Sequence, residues 1–489
     1  MKLSDLFFEC ETEGSEDPKE IEITGVCDHT DDLEEGMLFI AFAGAHTDPL
    51  SRLDEIEAKK AAAILLSSEA HRPRKTAIPC FFTKKPEEVL SKIWSRYFKG
   101  AERNLRIFGV TGTNGKTSTA LILTHLLNVG GIPTAYIGTL GTEFGGKRLF
   151  DREDGMTTPS AHRLHERLSA LSRMGALAVV LEASSHAIHQ KRTAALRFEA
   201  AIFTNLTEDH LDYHKTMENY FSCKKALFDQ ADFAVVNLDD DYGARLFNEL
   251  SCQKASVAVI ENADYTATDL HENGLEGTEY QCCTPFGTFA VSYPLFGAFN
   301  VYNTLSAIAL AVHAGLCPAE IQKGLFTLSK PKGRLEKLPL DEEYSVIIDY
   351  AHTPDAMKEA IKAVRRVTQG RLFVLFGAGG DREREKRSEM GRIACALADR
   401  VFITEDNPRE EAQDGIFRDI LQSAKEFSNY TVIKDRKTAI ITAQDGLQRG
   451  DTLLLLGKGH EEYMIYGREK IPFSEKDIII GHAREKKKT

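Results

Sequence analysis

The 489 residues contain one tryptophan and no run of 18 apolar residues, so no helix is expected to span a membrane. Nine cysteines are scattered, with only Cys282 and Cys283 close together and no C-x-x-C or zinc-type spacing. That excludes a readable disulfide framework or structural zinc site and points to a reduced, cytoplasmic setting. The first residues, MKLSDLFFECETEGSEDPKE, lack the basic start and long apolar stretch of a secretion signal. Basic residues fall short of acidic ones, 61 against 73, for a net charge of −12. No nucleic-acid partner is expected of such a chain, and an anionic ligand must be held by a local device. The closing REKKKT reads as a solvated basic tail. With 42% hydrophobic residues, 36 Gly and 15 Pro, the composition is neither collagen-like nor disordered. At roughly 150 residues per domain, about three folded units are expected.

Short runs of Val, Ile, Leu and Phe alternate with amphipathic stretches, the pattern of parallel sheets covered by helices. The fold class is therefore α/β. Strands are expected at 37–42, 62–67, 177–182, 199–204 and 233–237, with a helix around 88–99. LRIFGVT, from Leu105, reads as a buried strand that leads through a glycine turn into the helix TSTALILTHLLNVG. After Gly333 a further series, at 345–350, 371–376, 400–404 and 452–456, has the form of a second doubly wound sheet. Domain boundaries fall near 100 and 332.

Residues 109–119, GVTGTNGKTST, stand between that strand and that helix. Backbone N–H groups at a helix N-terminus bind phosphate there, and glycine lets the main chain approach. Lys116 is placed to reach the β/γ-phosphates and Thr117 to ligate Mg²⁺. Strict G-x-x-x-x-G-K-[ST] spacing would need glycine at Val110, and Gly109 comes one residue early. A glycine-rich turn without nucleotide is the competing reading.

Glu182 ends a strand in LEASSHAIHQKR, and Asp209 and His210 lie just past another in FTNLTEDHLDYH. A carboxylate at a strand's carboxyl end can hold Mg²⁺. Taken singly, Glu182 could cap the next helix, His210 could be a hydrogen-bonded loop residue, and Lys224 could be a solvated helix charge.

Together these segments resemble the Mur ligase family of ATP-dependent amide-forming enzymes. The resemblance rests on GTNGKTST, TTP at 157–159, EASSHAIHQKR at 182–192, FTNLTEDHLDYH at 203–214, CKKALF and GAFNVYN at 297–303. It continues with GRLE at 333–336, DYAHTPD at 349–355, GAGGDREREKR at 377–387, DNPRE at 406–410 and GKGHEEY at 457–463. It implies an N-terminal domain (1–100) for a UDP-linked substrate, a central ATPase (101–332) and a Rossmann-like C-terminal domain (333–489) for the incoming amino acid. It further implies that Lys224 is carbamylated, which turns a cation that Mg²⁺ would repel into an anionic ligand beside Thr117, Glu182 and His210. Gly112, Thr113, Asn114, Gly115, Lys116, Thr117 and Ser118, with Asn303, Arg334 and Asp349, are the implied nucleotide contacts. His352 is implied to approach the reacting phosphate.

Within the family the sequence looks like the member that adds the third residue of the peptidoglycan stem peptide. ATP would phosphorylate the terminal carboxylate of UDP-MurNAc-L-Ala-D-Glu, and the amine of the incoming amino acid would attack the acyl phosphate, so no protein nucleophile is needed. Thr157, Thr158, Ser184, Gln190 and Arg192 are the implied contacts to the UDP-linked substrate. Arg382, Asp406, Asn407, Pro408, Arg409, Gly457 and Glu461 resemble the amino-acid pocket. An arginine in DNPR suits a diamino acid with a second carboxylate, which a guanidinium grips with two hydrogen bonds, and relatives that add L-lysine lack it. The resemblance therefore favours meso-diaminopimelate, with the protein acting as a monomer.

Departures from the family pattern concentrate near the N-terminus. Asp28-His29-Thr30 replaces the usual Asp-Ser-Arg, and Asp48-Pro49 replaces Asp-Gly. Met156 stands for an Asn, and Ser388 for a Pro. Two other readings compete. A folylpolyglutamate synthetase would share the ATPase core but not DNPR or GKGHE. A non-catalytic nucleotide-gated protein would be favoured by loss of Lys116, Glu182, His210 or Lys224, and all four are present.

Overall fold

A strand covered on both faces needs apolar side chains at every position rather than alternate ones. Leu372–Phe376 (LFVLF) meets that need, as does all of Thr452–Leu456 (TLLLL) after its first residue, and both are buried throughout. The computed structural model describes residues 1–8, 10–14, 16–42, 49–67, 76–150 and 156–486. Asp48 and the last three residues of the basic tail lie outside them. The chain forms two units, Met1–Gly109 with Pro133–Glu199 and Asp229–Ala231, and Val110–Ile132 with Ala200–Phe228 and Asp232–Thr489.

In the first unit a five-stranded sheet has the order Thr12–Gly14, Cys80–Thr83, Ala63–Leu66, Leu38–Ala41, Val26–Cys27. Its strands are parallel except at the outer pair Thr12–Gly14 and Cys80–Thr83. The expected helix runs Pro86–Tyr97 and buries Val89, Ile93 and Trp94 against Leu38, Leu65 and Phe81. The sole tryptophan stacks on His162 at 3.8 Å between ring centroids. Elsewhere in this unit Ala178–Glu182 pairs in parallel with Thr134–Gly138. Glu182 is thereby set at a strand's carboxyl end.

The second unit holds the glycine-rich loop and its helix, Lys116–Val129. The helix Ala298–His313 is tied to it where the Thr119 hydroxyl donates to Asn303 Oδ1 (3.1 Å). Ala231–Asn237 pairs in parallel with Gln253–Ala258, and an antiparallel ladder follows through Tyr265–Glu272, Thr278–Thr284 and Gly287–Tyr293.

The last third of the chain forms a six-stranded sheet ordered Glu336–Lys337, Ser345–Asp349, Thr452–Leu456, Leu372–Phe376, Arg400–Ile403, Tyr430–Val432. Only its first pair is antiparallel. The register sets Asp349 beside Leu456, Leu375 beside Leu455, and Phe376 beside Ile403. The carboxyl ends are level, so the segments after Asp349, Phe376, Ile403 and Leu456 emerge along one edge, where open α/β sheets bind ligands.

Candidate active site

The loop after Arg106–Thr111 is shaped by two glycines. Gly112 (φ +145°) and Gly115 (φ +84°) adopt conformations that disfavour side chains, and a Cβ on either would collide with Thr204 Oγ1 or Asn303 Oδ1. The loop is anchored from below. Thr113 N donates to Asn205 O (2.9 Å), Asn114 N donates to Asn205 Oδ1 (2.9 Å), and the Thr113 hydroxyl donates to Thr207 O (3.1 Å). Lys116 folds back to donate to the carbonyls of Gly112 (2.9 Å) and Thr113 (2.8 Å). Ser118 is buried in the first turn of the helix, as is Thr117, whose hydroxyl accepts from Arg334 (2.9 Å). Arg334 also lies over the Tyr350 ring at 4.8 Å.

Lys224 comes up to the same loop from the helix Met217–Lys225. It is 1% exposed, donates to Gly112 O (2.8 Å) and stands 4.7 Å from the Tyr220 ring centre. Burial, joined by the charge of Lys116, holds its amine well below the usual lysine range. Asp209 is buried, 3.3 Å from His210 and 3.6 Å from Lys386. Burial opposes its ionisation, but His210, Lys386, His352 and Lys116 outweigh burial and bring its pKa down to about 2. His352 Nδ1 donates to Tyr350 O (2.8 Å); desolvation and then the Lys386 charge press its imidazole below the usual range.

Asn303 and Asp349, expected as nucleotide contacts, have structural tasks here. Asn303 braces the loop beneath Gly115 and donates to Asn300 Oδ1 (3.0 Å). Asp349 accepts from Leu335 N (2.7 Å) and Ala351 N (2.8 Å) and fixes the GRLE turn against its own strand.

Along the edge of the six-stranded sheet, Asp406, Asn407 and Glu461 surround a fully buried Lys458. Its amine lies 3.1 Å from Asn407 Oδ1, 3.3 Å from Glu461 Oε2 and 3.6 Å from Asp406 Oδ1. Asn407 donates to Glu461 Oε2 (2.8 Å), and Gly457 N donates to Asp349 O (3.2 Å). Pro408 is buried beside Arg409, whose guanidinium donates to Gly380 O (2.7 Å). Arg409 is half-buried, and burial followed by repulsion from Arg382 lowers its pKa. Among the described residues no carboxylate forms an ion pair with either arginine.

The expected substrate residues of the first unit form one hydrogen-bonded cluster. The buried Thr158 hydroxyl donates to Glu182 O (2.7 Å) and accepts from Ser184 N (2.9 Å). Arg192 donates to Thr158 O (2.7 Å) and twice to Gln190 Oε1 (3.0 and 2.6 Å). Thr139 links Thr157 (3.2 Å) to the Glu182 carboxylate (3.0 and 3.1 Å), which also accepts from the Tyr136 hydroxyl. At the divergent N-terminal positions, Thr30 accepts from Arg52 through its hydroxyl and from Lys59 through its carbonyl (2.7 Å), and His29 accepts from Asp31 N (3.3 Å).

Lys386, Lys458, Arg387 and Glu411 were not singled out as site residues in the sequence. The signal available was their place inside quoted motifs, since Lys386-Arg387 closes GAGGDREREKR, Lys458 lies in GKGHE and Glu411 follows DNPRE. Among the described residues no three His, Cys, Asp or Glu side chains converge as a ready cation cage.

A glycine-rich strand-to-helix loop with a buried amine against it, and charged and polar groups along a doubly wound edge, go with the ATP-dependent ligases of the Mur type. The chain belongs to the Mur ligase family: residues 110–311 match the Mur ligase middle domain and residues 333–459 the Mur ligase glutamate ligase domain. The UDP-N-acetylmuramoyl-L-alanyl-D-glutamate–2,6-diaminopimelate ligase of Thermosynechococcus vestitus is 37% identical over 466 residues, covering 94% of this chain and 92% of its own. The ligase of the same name from Aquifex aeolicus is 36% identical over 466 residues, covering 94% and 93%. A solved structure, also titled UDP-N-acetylmuramoyl-L-alanyl-D-glutamate–2,6-diaminopimelate ligase, aligns over 100% of both chains with a TM-score of 0.70 at 29% identity. No helix among the described residues is long and apolar enough to cross a membrane.

Proposed function

We propose that this protein joins meso-2,6-diaminopimelate to UDP-N-acetylmuramoyl-L-alanyl-D-glutamate, using ATP and an acyl phosphate and releasing ADP and phosphate, in cytoplasmic peptidoglycan synthesis. The observation that carries the choice of amino acid is the pair Arg382 and Arg409. They are close enough to repel, and no described carboxylate pairs with either. Two guanidiniums so placed are built for an anion from outside, and a carboxylate is the planar group that suits them. Asp406 and Glu461 offer negative charge nearby for an ammonium group, tempered by Lys458.

Lys116 and the loop N–H groups would hold the phosphates, with Asn303, Arg334 and Asp349 around the nucleotide and His352 toward the transferring group. The Lys224 environment fits carbamylation: a buried amine next to another cation favours the neutral form that adds CO₂ with loss of a proton. Mg²⁺, with Thr117, Glu182, His210 and the Lys224 carbamate as its proposed residues, would neutralise charge on the transferring phosphoryl oxygens. Thr157, Thr158, Ser184, Gln190 and Arg192 are proposed to receive the UDP-linked dipeptide, and their mutual hydrogen bonds preorganise them for it. The three domains are proposed as 1–100, 101–332 and 333–489, acting as a monomer.

The test is ADP release by the purified protein with ATP, Mg²⁺ and the UDP-dipeptide, across a panel of amino acids. Turnover is expected with meso-diaminopimelate and not with glutamate. ADP release with a folate and glutamate in place of these substrates would instead support the folylpolyglutamate reading.

A further inference from the structure

Arg382 and Arg409 stand on different loops, one after Phe376 and the other after Ile403, and both loops contain strained backbone. Asp381 (φ +51°) and Arg409 (φ +53°) are left-handed without being glycine, conformations that persist only where the surroundings impose them. Arg409 is held through its main chain, its N donating to Ile465 O (3.1 Å) and its O accepting from Gly467 N (2.8 Å), and Asp381 by a set of contacts centred on Glu411, which is 9% exposed at its side chain. Its carboxylate accepts from Arg387 through both terminal nitrogens (2.8 and 2.7 Å), from Asp381 N (3.0 Å), and pairs with Arg384 (3.1 Å).

Arg387 is fully buried and extends the tie. It donates to Gly379 O (3.0 Å) and to Asp419 (2.9 Å) on the helix Gln413–Ala424. Two main-chain N–H groups close the remaining gaps, Gly380 N donating to Asn407 O (2.9 Å) and Glu410 N to the Asp381 carboxylate at Oδ2 (3.0 Å). The loops approach so closely that a Cβ on Gly380 would strike Pro408 O and lie 3.0 Å from Glu411 Cβ. The Arg409 guanidinium itself rests on Gly380 O.

We propose that Glu411, gripped by buried Arg387, is a positioning residue that holds Arg382 and Arg409 at a fixed separation, making them one receptor for the carboxylate-bearing end of the incoming amino acid. The proposal rests on the ligase reading above. Glu411 does not touch the substrate. It pairs with buried Arg387 and, at the surface, with Arg384, which leaves Arg382 and Arg409, among the described residues of the two loops, as the guanidiniums without a carboxylate partner. A bidentate pair inside an ionic network is lost when its geometry loosens by about an ångström, and the effect should fall on the amino acid alone.

The experiment is steady-state kinetics of Glu411→Gln and Arg387→Lys, each substrate varied in turn, with lysine as the competing amino acid and thermal melting as a control. Glu411→Gln keeps shape and one hydrogen-bonding oxygen, so it should remain folded even if an Arg387 variant does not. It should raise KM for meso-diaminopimelate roughly tenfold or more and lower the diaminopimelate-to-lysine ratio of kcat/KM by a similar factor. The KM values for ATP and the UDP-dipeptide should move less than about twofold. Arg387→Lys, keeping charge without the planar fork, should fall between parent and Glu411→Gln. A folded Glu411→Gln with parental KM and parental amino-acid preference would overturn the proposal, as would an equal loss in all three substrates. A parent protein that makes no diaminopimelyl product would overturn the ligase reading itself, which separates the two failures.

Discussion

Lys116 and Lys224 direct their amines at one acceptor: the Gly112 carbonyl oxygen lies 2.9 Å from the first and 2.8 Å from the second. Two ammonium groups that share an oxygen repel each other, and the one cut off from water is the one to lose its proton. Lys224 is that residue. A carbamate there would turn the repulsion into an attraction beside the phosphate loop.

Lys116→Ala should therefore cost at least about two decades of ADP release, the scale of removing one electrostatic contact to a transferring phosphoryl group. Its side chain caps loop carbonyls rather than filling a core, so the melting transition should stay near the parent's. Near-parental phosphate release would place the chemistry elsewhere.

Lys224→Ala should be nearly inactive and regain part of its activity with acetate or formate, which Lys116→Ala should not. The pH dependence follows from the direction of the shift. A lysine lowered below its ordinary range is neutral, and open to CO₂, at pH values where a free lysine is still charged. The ¹³C carbamate signal of protein equilibrated with labelled bicarbonate should be present on the alkaline side of neutrality and fade as pH falls. A signal absent at every pH, from protein that turns over, would contradict the modification.

Glu411 gives a stability prediction in acid. The hydrogen bonds from Arg387 lower its pKa from 4.5 to about 2, against the opposing effect of burial. Its contribution is thus complete above pH 4.5 and lost as pH falls through about 2. With allowance for solvent, it is on the order of 2 kcal/mol. Urea unfolding of parent and Glu411→Gln should differ by that order at neutral pH and converge toward pH 2. A difference constant over the whole range would mean that the carboxylate's charge is not what stabilises.

Arg409→Ala should lower kcat/KM for meso-diaminopimelate by about two decades, corresponding to an unpaired charge worth on the order of 3 kcal/mol in a largely dehydrated pocket. It should narrow the gap to lysine and leave KM for ATP nearly unchanged. A parallel fall for both amino acids would show that the guanidinium supports the loop without selecting the substrate.

The strands were legible where burial is complete on both faces. TLLLL fell on Thr452–Leu456 without error, and the 37–42 run narrowed to Leu38–Ala41. The ladder Tyr265–Tyr293 was not legible, because its strands expose most of one face and bury only scattered residues such as Tyr280 and Cys282. The glycine turn from strand to helix could be read because glycine, lysine and hydroxyl residues are contiguous in sequence. Asn303 could not be read as a brace for Gly115, since that role needs 187 residues of intervening chain to fold back. For the same reason nothing local in the sequence marks Glu411 and Arg387 as partners. Only tertiary structure shows that Arg387 is fully buried and that both ends of the pair are spoken for.

The most direct test of the central claim is competition for product. The protein is given ATP, Mg²⁺ and UDP-N-acetylmuramoyl-L-alanyl-D-glutamate with meso-diaminopimelate and L-lysine at equal concentration, and the nucleotide product is identified by mass. A product extended by diaminopimelate in large excess over the lysyl one, formed in step with ADP, is the predicted result. A lysyl product in excess, or ADP release with no extended product, would contradict the account.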